Sequence, residues 1–209
     1  MNSNFKADLQ DIVLGFVSAI CILLMGASVA VADGDKAYEA KFTADGELIR
    51  PSGWREWIFV GSPLTPNSLN GGEAPFPEFH TVYIDPKSWE HYKKTGEFRE
   101  GTMFAKELTL VGATAATSGI GFFNGAQQGF EIAHKDTKRY SKETDGWAYY
   151  TFGHKPEPYN DTTAAMPTAA CAACHTAAAA EDMVFTQYYP VLLGGKAAGD
   201  AAAGVGGKD

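Results

Sequence analysis

The chain has 209 residues, 45% of them hydrophobic and 20% charged, which is enough for one domain with a full apolar core and too apolar for a disordered chain. Its 17 Lys and Arg against 25 Asp and Glu leave a net charge of −8, which argues against nucleic acid and anionic membrane surfaces as partners. With only three cysteines the chain is not a disulfide scaffold.

Residues Ile12 to Met25 form an apolar run that leads into the small-residue end Ala30-Val31-Ala32. This reads as a signal peptide over residues 1–32, cleaved before Asp33, and places the protein in the periplasm. The competing reading is an uncleaved single-span anchor, for which the run is short. Cleavage would remove Lys6, Asp8, Asp11 and Cys21, so the net charge would become −7 and Cys171 and Cys174 would be the remaining cysteines.

The working domain is expected over residues 33–193. Asp33 to Ser52 is polar and reads as a leading segment with one short helix at most. Trp54 to Val60 is rich in aromatic and β-branched residues and predicts a strand closed by Gly61. Pro63, Pro66, Pro75 and Pro77, with Asn70-Gly71-Gly72, make 62–77 a loop. Phe79 to Ile84 predicts a second strand. Asp85-Pro86 then opens a helix by capping plus proline in the first helical position, with Trp89 and Tyr92 on one face and Gly96 as the stop.

Thr102 to Val111 predicts a third strand, and the Gly/Ala/Thr/Ser run 112–121 a loop. Strands over Gly129 to Ala133 and Trp147 to Phe152 follow, joined by a charged segment around 136–143. Thr168 is the expected N-cap of a helix near the C-terminus. Asp182 to Leu193 is a last apolar piece, and the Gly/Ala-rich tail 194–209 reads as disordered. About five strands ahead of one late helix predict an α+β fold, mainly an antiparallel sheet with a few helices.

That late helix carries Cys171-Ala172-Ala173-Cys174-His175. Two cysteines at this spacing followed at once by histidine are the attachment pattern of haem c. Each thiol adds to one haem vinyl group, and the neighbouring imidazole of His175 then ligates the iron. A zinc half-site lacks a second Cys/His pair at suitable spacing, and a redox dithiol lacks its βαβ context. The motif's position behind a run of strands also excludes the small electron-transfer cytochromes, where it comes near the mature N-terminus, and the four-helix cytochromes. The second axial position decides the activity. Met103, Met166, Met183, His80, His91, His134 and His154 are the candidates, and none has a diagnostic spacing.

The chain resembles the cytochrome P-460 family from about Gly46 to Leu193. The segments that carry the resemblance are Gly53-Trp54-Arg55-Glu56-Trp57, Leu64-Thr65-Pro66-Asn67, Thr81-Val82-Tyr83-Ile84-Asp85-Pro86, Lys94-Thr95-Gly96-Glu97-Phe98-Arg99, Lys106-Glu107-Leu108 and Asp182-Met183-Val184-Phe185-Thr186. It implies a periplasmic, homodimeric, β-rich protein with one covalent haem c per chain that oxidises hydroxylamine to nitric oxide, nitrous oxide or nitrite. It also implies a third haem bond from a lysine nitrogen to a porphyrin meso carbon, and the matching lysine is Lys106. Phe104 and Leu108 share its strand face, as expected of an inward lysine. Glu131 matches a glutamate over the open iron face that accepts protons from the substrate. His80 stands where the family often has arginine, so that a shorter, titratable side chain lines the distal pocket, with Phe76 and Phe79 as candidate walls.

Hydroxylamine and nitric oxide are the implied small ligands, and a small soluble cytochrome c the implied electron acceptor. Two other readings stay open on sequence: a cytochrome c′-beta-like nitric oxide binder that lacks the lysine bond, and a plain electron carrier.

Overall fold

A computed structural model describes residues 38–196, and the expected signal peptide and residues 197–209 lie outside them. The strands are β1 (Leu48–Ile49), β2 (Ile58–Gly61), β3 (Phe79–Ile84), β4 (Met103–Val111), β5 (Ala115–Ala116), β6 (Gly119–Ile120), β7 (Asn124–Lys135), β8 (Trp147–Thr151) and β9 (Thr162–Thr163). The helices are α1 (Pro86–Thr95) and α2 (Thr168–Ala178), and residues 190–196 are also helical. The centre is a five-stranded antiparallel sheet in the order β2-β3-β4-β7-β8. The fold is therefore α+β, with the haem-motif helix close to the C-terminus. Among the described residues no helix is long and apolar enough to cross a membrane.

Alternation along the strands divides the core in two. One face carries Met103, Ala105, Phe130, Ile132, Ala148 and Tyr150, packed against Leu48, Trp54, Trp57 and Tyr159. The opposite face carries Val82, Ile84, Phe104 and Trp147, packed against Tyr92, Phe98, Ala172, Met183, Val184 and Leu192. Fully burying each large apolar side chain contributes about 1.5–3 kcal/mol, so both faces are held by several anchors.

Helix α1 starts as its residues predict. The buried Asp85 carboxylate accepts from Ser88 N at 2.8 Å, Pro86 occupies the first turn, and Gly96 ends the helix at φ 70°. Asp85 also accepts from Met103 N at 2.9 Å, which ties the helix start to β4. The stack of Trp89, Tyr92 and Phe98 lies against Phe104 and Trp147, so α1 covers only one end of its sheet face.

Several local expectations change. Trp54–Glu56 is a 3-10 turn before β2, because the buried Trp54 must turn inward onto Phe130, 4.2 Å away between ring centroids. The leading segment makes a strand pair, β1 with β9, instead of a helix. The run 112–121 contains the β5–β6 hairpin. Strand β7 is 12 residues long and begins at Asn124, since Gly112 and Gly125 let the backbones of β4 and β7 approach closely: a Cβ on Gly112 would lie 2.9 Å from Gly125 Cα. Helix α2 begins at Thr168 with Pro167 as its cap, and no side chain caps it. Residues 194–196, the first of the Gly/Ala-rich tail, continue the helix from 190, and Gly195 packs on Trp89.

Candidate haem site

Helix α2 packs against β8 and brings Cys171, Cys174 and His175 to the sheet face that α1 leaves uncovered. Cys174 is exposed and Cys171 half-buried. Burial, the Glu131 carboxylate and Cys174 push the Cys171 thiol up, while Lys106 lowers it. Lys106 and Glu131, far away in sequence, therefore act electrostatically on the first haem cysteine.

The His175 ring lies between Tyr149 and Phe185, with centroids 4.4 and 4.6 Å away. Its Nδ1 is 2.6 Å from the carbonyl oxygen of Met183. That carbonyl can only accept, so Nδ1 carries the proton and Nε2 keeps its lone pair for a metal. Burial pushes the imidazole below its ordinary value, with the Met183 bond opposing. The neutral form, the one that ligates iron, is thus favoured.

A strained turn supplies the carbonyl. Glu181 and Val184 pair across Asp182 and Met183, whose φ angles are 45° and 60°. Two successive positive φ values define a type I′ turn, and holding a non-glycine residue this way costs of order 1–3 kcal/mol. Lys135 Nζ donates to both Asp182 oxygens at 2.7 and 2.6 Å, and Trp147 Nε1 donates to one of them at 3.1 Å. These bonds offset the strain and aim the Met183 carbonyl at His175.

On the sheet, Lys106 and Glu131 are register partners on β4 and β7, and Lys106 Nζ lies 2.5 Å from Glu131 Oε2. Their side chains are 28% and 22% exposed, less than solvated surface residues. Lys106 Nζ also lies 5.3 Å from the centre of the Phe76 ring. His80, on β3, contacts the same ring edge-on at 5.8 Å. Burial and then the Lys106 charge lower the His80 imidazole to about 4, so it is neutral at pH 7. Its Nε2 is buried and has no hydrogen-bond partner among the described residues.

The fold thus brings Lys106, Glu131, His80 and Phe76 together with the haem-motif helix. Phe79 does not join them: it pairs with Thr109, which puts it on the opposite sheet face from His80. Met103 and His134 belong to that opposite face too, His134 bonded to Tyr140, so neither competes for the iron. The Met183 sulfur accepts from Thr176, and its carbonyl serves His175 on the proximal side. Sequence reasoning missed Tyr149, Phe185 and the Met183 carbonyl. Tyr149 lies two positions from Thr151, the register partner of Glu131, so its place on this face follows from register and not from its own strand.

A haem fits these residues. Two thiols and an imidazole with a free Nε2 project from one helix, aromatic rings flank the imidazole, and a lysine–glutamate pair and an unpartnered imidazole nitrogen face the same region. Among the described residues no group of three or more His, Cys, Asp or Glu could hold a bare metal ion. The sequence matches no curated protein. It does match the model of the family described as Cytochrome P460, over residues 51–186. That match takes in β2, β3, β4, β7 and β8, the complete haem motif and the Asp182–Met183 turn, and the chain belongs to the cytochrome P460 family.

Proposed function

We propose that this protein is a hydroxylamine-oxidising haem c enzyme, exported to the periplasm and working as a homodimer. The observation that carries the reading is the half-buried Lys106–Glu131 pair on the sheet face that receives the haem-motif helix. Haem iron held by His175 would supply an open coordination position for nitrogen and the one-electron steps of the oxidation. Glu131 takes protons from the substrate: each hydroxylamine converted to nitric oxide gives up three electrons and three protons. His80, neutral at working pH, accepts a hydrogen bond at its free Nε2 and orients the substrate O–H or N–H. Phe76 limits water on that side.

Lys106 bears on the covalent state. A bond from Lys106 Nζ to a porphyrin meso carbon would remove one hydrogen from each, a two-electron oxidation that would need a peroxide-class oxidant. Glu131, in contact with Nζ, is placed to take the ammonium proton that must leave first. The electrons of turnover pass to a soluble acceptor such as a small cytochrome c. The net charge, −8 for the full chain and −7 after removal of residues 1–32, favours a basic partner surface.

The test is anaerobic, hydroxylamine-dependent reduction of a soluble redox dye by the haem-loaded protein, with nitric and nitrous oxide measured in the gas phase. Expected is turnover, together with a ferrous Soret band well to the red of an ordinary c-type band; Lys106→Leu returns the band to the ordinary position. A resting ferric spectrum that is six-coordinate and low-spin, with no dye reduction, would make the protein an electron carrier. Nitric oxide binding without turnover, and an ordinary Soret band, would make it a binder of the cytochrome c′-beta kind.

A further inference from the structure

One step along β4 and β7 from the Lys106–Glu131 pair, the same sheet face carries Leu108 and Gly129, which are also register partners. A Cβ on Gly129 would lie 3.0 Å from Leu108 Cδ1 and 3.2 Å from the Gly153 carbonyl oxygen. The missing side chain lets the segment after β8 lie close against β7, where the Gly153 carbonyl accepts from Phe130 N. The His154 side chain then reaches towards the start of β3, which lies three strands from β8 in the sheet order. His154 Nε2 lies 2.8 Å from Glu78 Oε1.

The two partners differ in access to solvent. The Glu78 side chain is 5% exposed and that of His154 45%. Glu78 precedes His80 by two residues, and its charge acts on the His80 imidazole together with those of Lys106 and Glu131. Two buried polar atoms in this layer have no hydrogen-bond partner, Glu78 Oε2 and His80 Nε2. Leaving such atoms unpaired is costly, and a purely structural ion pair would not require it. A carboxylate with one oxygen bonded to a half-exposed imidazole and the other buried and unpartnered is instead suited to accept a proton and pass it out.

We propose that Glu78 and His154 form the proton exit of the haem site, continuing from Glu131 and His80 to solvent. A proton released by a ligand at the iron is taken by Glu131 or His80 and passed to Glu78 through its free Oε2. From Glu78 Oε1 it moves to His154 Nε2, and the half-exposed imidazole releases it from its other nitrogen. No electron moves along this path, and the number of protons leaving equals the number the ligand gives up. The inference rests on the open haem position of the proposed function, though not on hydroxylamine as substrate.

Two ligands separate proton exit from simple access. Hydrogen cyanide must lose a proton to bind ferric haem as cyanide, whereas nitric oxide binds without one. Stopped-flow association of both is measured on haem-loaded wild type, Glu78→Gln and His154→Ala, with His154→Gln as the replacement should His154→Ala fail to load haem. Expected is cyanide association about tenfold slower in each variant, nitric oxide association unchanged, and recovery of His154→Ala by added imidazole. Cyanide rates equal to wild type overturn the proposal, as does equal slowing of both ligands, which would mark a merely structural pair. A wild type that binds no cyanide overturns the open site and the exit together. A protein that binds cyanide in the expected pattern but does not oxidise hydroxylamine keeps the exit and loses the proposed substrate.

Discussion

Replacing Asp182 by alanine probes the turn that presents the Met183 carbonyl to His175. The Lys135 side chain is 11% exposed and that of Asp182 30%, so the pair is largely but not fully desolvated. Removing one member of a fully buried pair costs about 3–5 kcal/mol; the partial exposure of Asp182 brings this to about 2 kcal/mol. Trp147, 2% exposed, loses the acceptor for its Nε1, which adds about 1 kcal/mol. A loss of about 3 kcal/mol in a domain of this size lowers Tm by roughly 6–12 °C. Asp182→Asn keeps an acceptor for Trp147 and tolerates the φ of 45°, so it should lose about one third less. The assay is thermal unfolding followed by circular dichroism. In the ferrous haem-loaded protein, resonance Raman spectroscopy of the iron–histidine stretch reports whether the bond to His175 Nδ1 has loosened. If Asp182→Ala melts within about 2 °C of wild type and its stretch is unmoved, the Lys135–Asp182–Trp147 network does not hold the turn and this reasoning is wrong.

Burial holds His80 and His134 neutral, each lowered to about 4. The unfolded chain therefore takes up these protons first: stability is complete above about pH 6.5 and falls as pH drops towards 4. Urea titrations across that window should show His134→Gln with a pH slope about one proton shallower than wild type; an identical slope would mean that His134 is not held neutral. Phe130 is fully buried against Trp54, Phe152 and Tyr159 on the face opposite the site. Phe130→Ala should cost about 3–5 kcal/mol in urea unfolding and leave the Soret band of the loaded protein in place; a shifted band would show that the two faces are not independent.

Much of the architecture is local. Asp85-Pro86 and Gly96 carry the start and stop of α1 in their own side chains and backbone freedom, which is why that helix is legible in advance. Strand β3 coincides with Phe79–Ile84 because its alternation and its closing cap are both in the sequence. What misled were segments whose form depends on a distant partner. Trp54–Glu56 has strand-forming residues but turns because Phe130 is there to receive Trp54. Strand β7 continues back to Asn124 because β4 is there to pair with it and Gly112 faces Gly125.

The same division runs through the site. Cys171, Cys174 and His175 lie on one short stretch of α2, so the haem motif is a matter of spacing and can be recognised without a fold. Alternation put Lys106 inward beside Phe104 and Leu108, and the family resemblance singled out Lys106 and Glu131. Their contact with each other depends on antiparallel register, which no single strand encodes. Register likewise put His80 on the site and Phe79 off it. The carbonyl that orients His175 and the Glu78–His154 bridge come from strained or featureless segments with no side-chain pattern to betray them. The expectation of a haem therefore came from adjacent residues alone. The groups that surround it were decided by the tertiary structure, because they meet only when the pairing of β3, β4, β7 and β8 brings distant side chains to one sheet face.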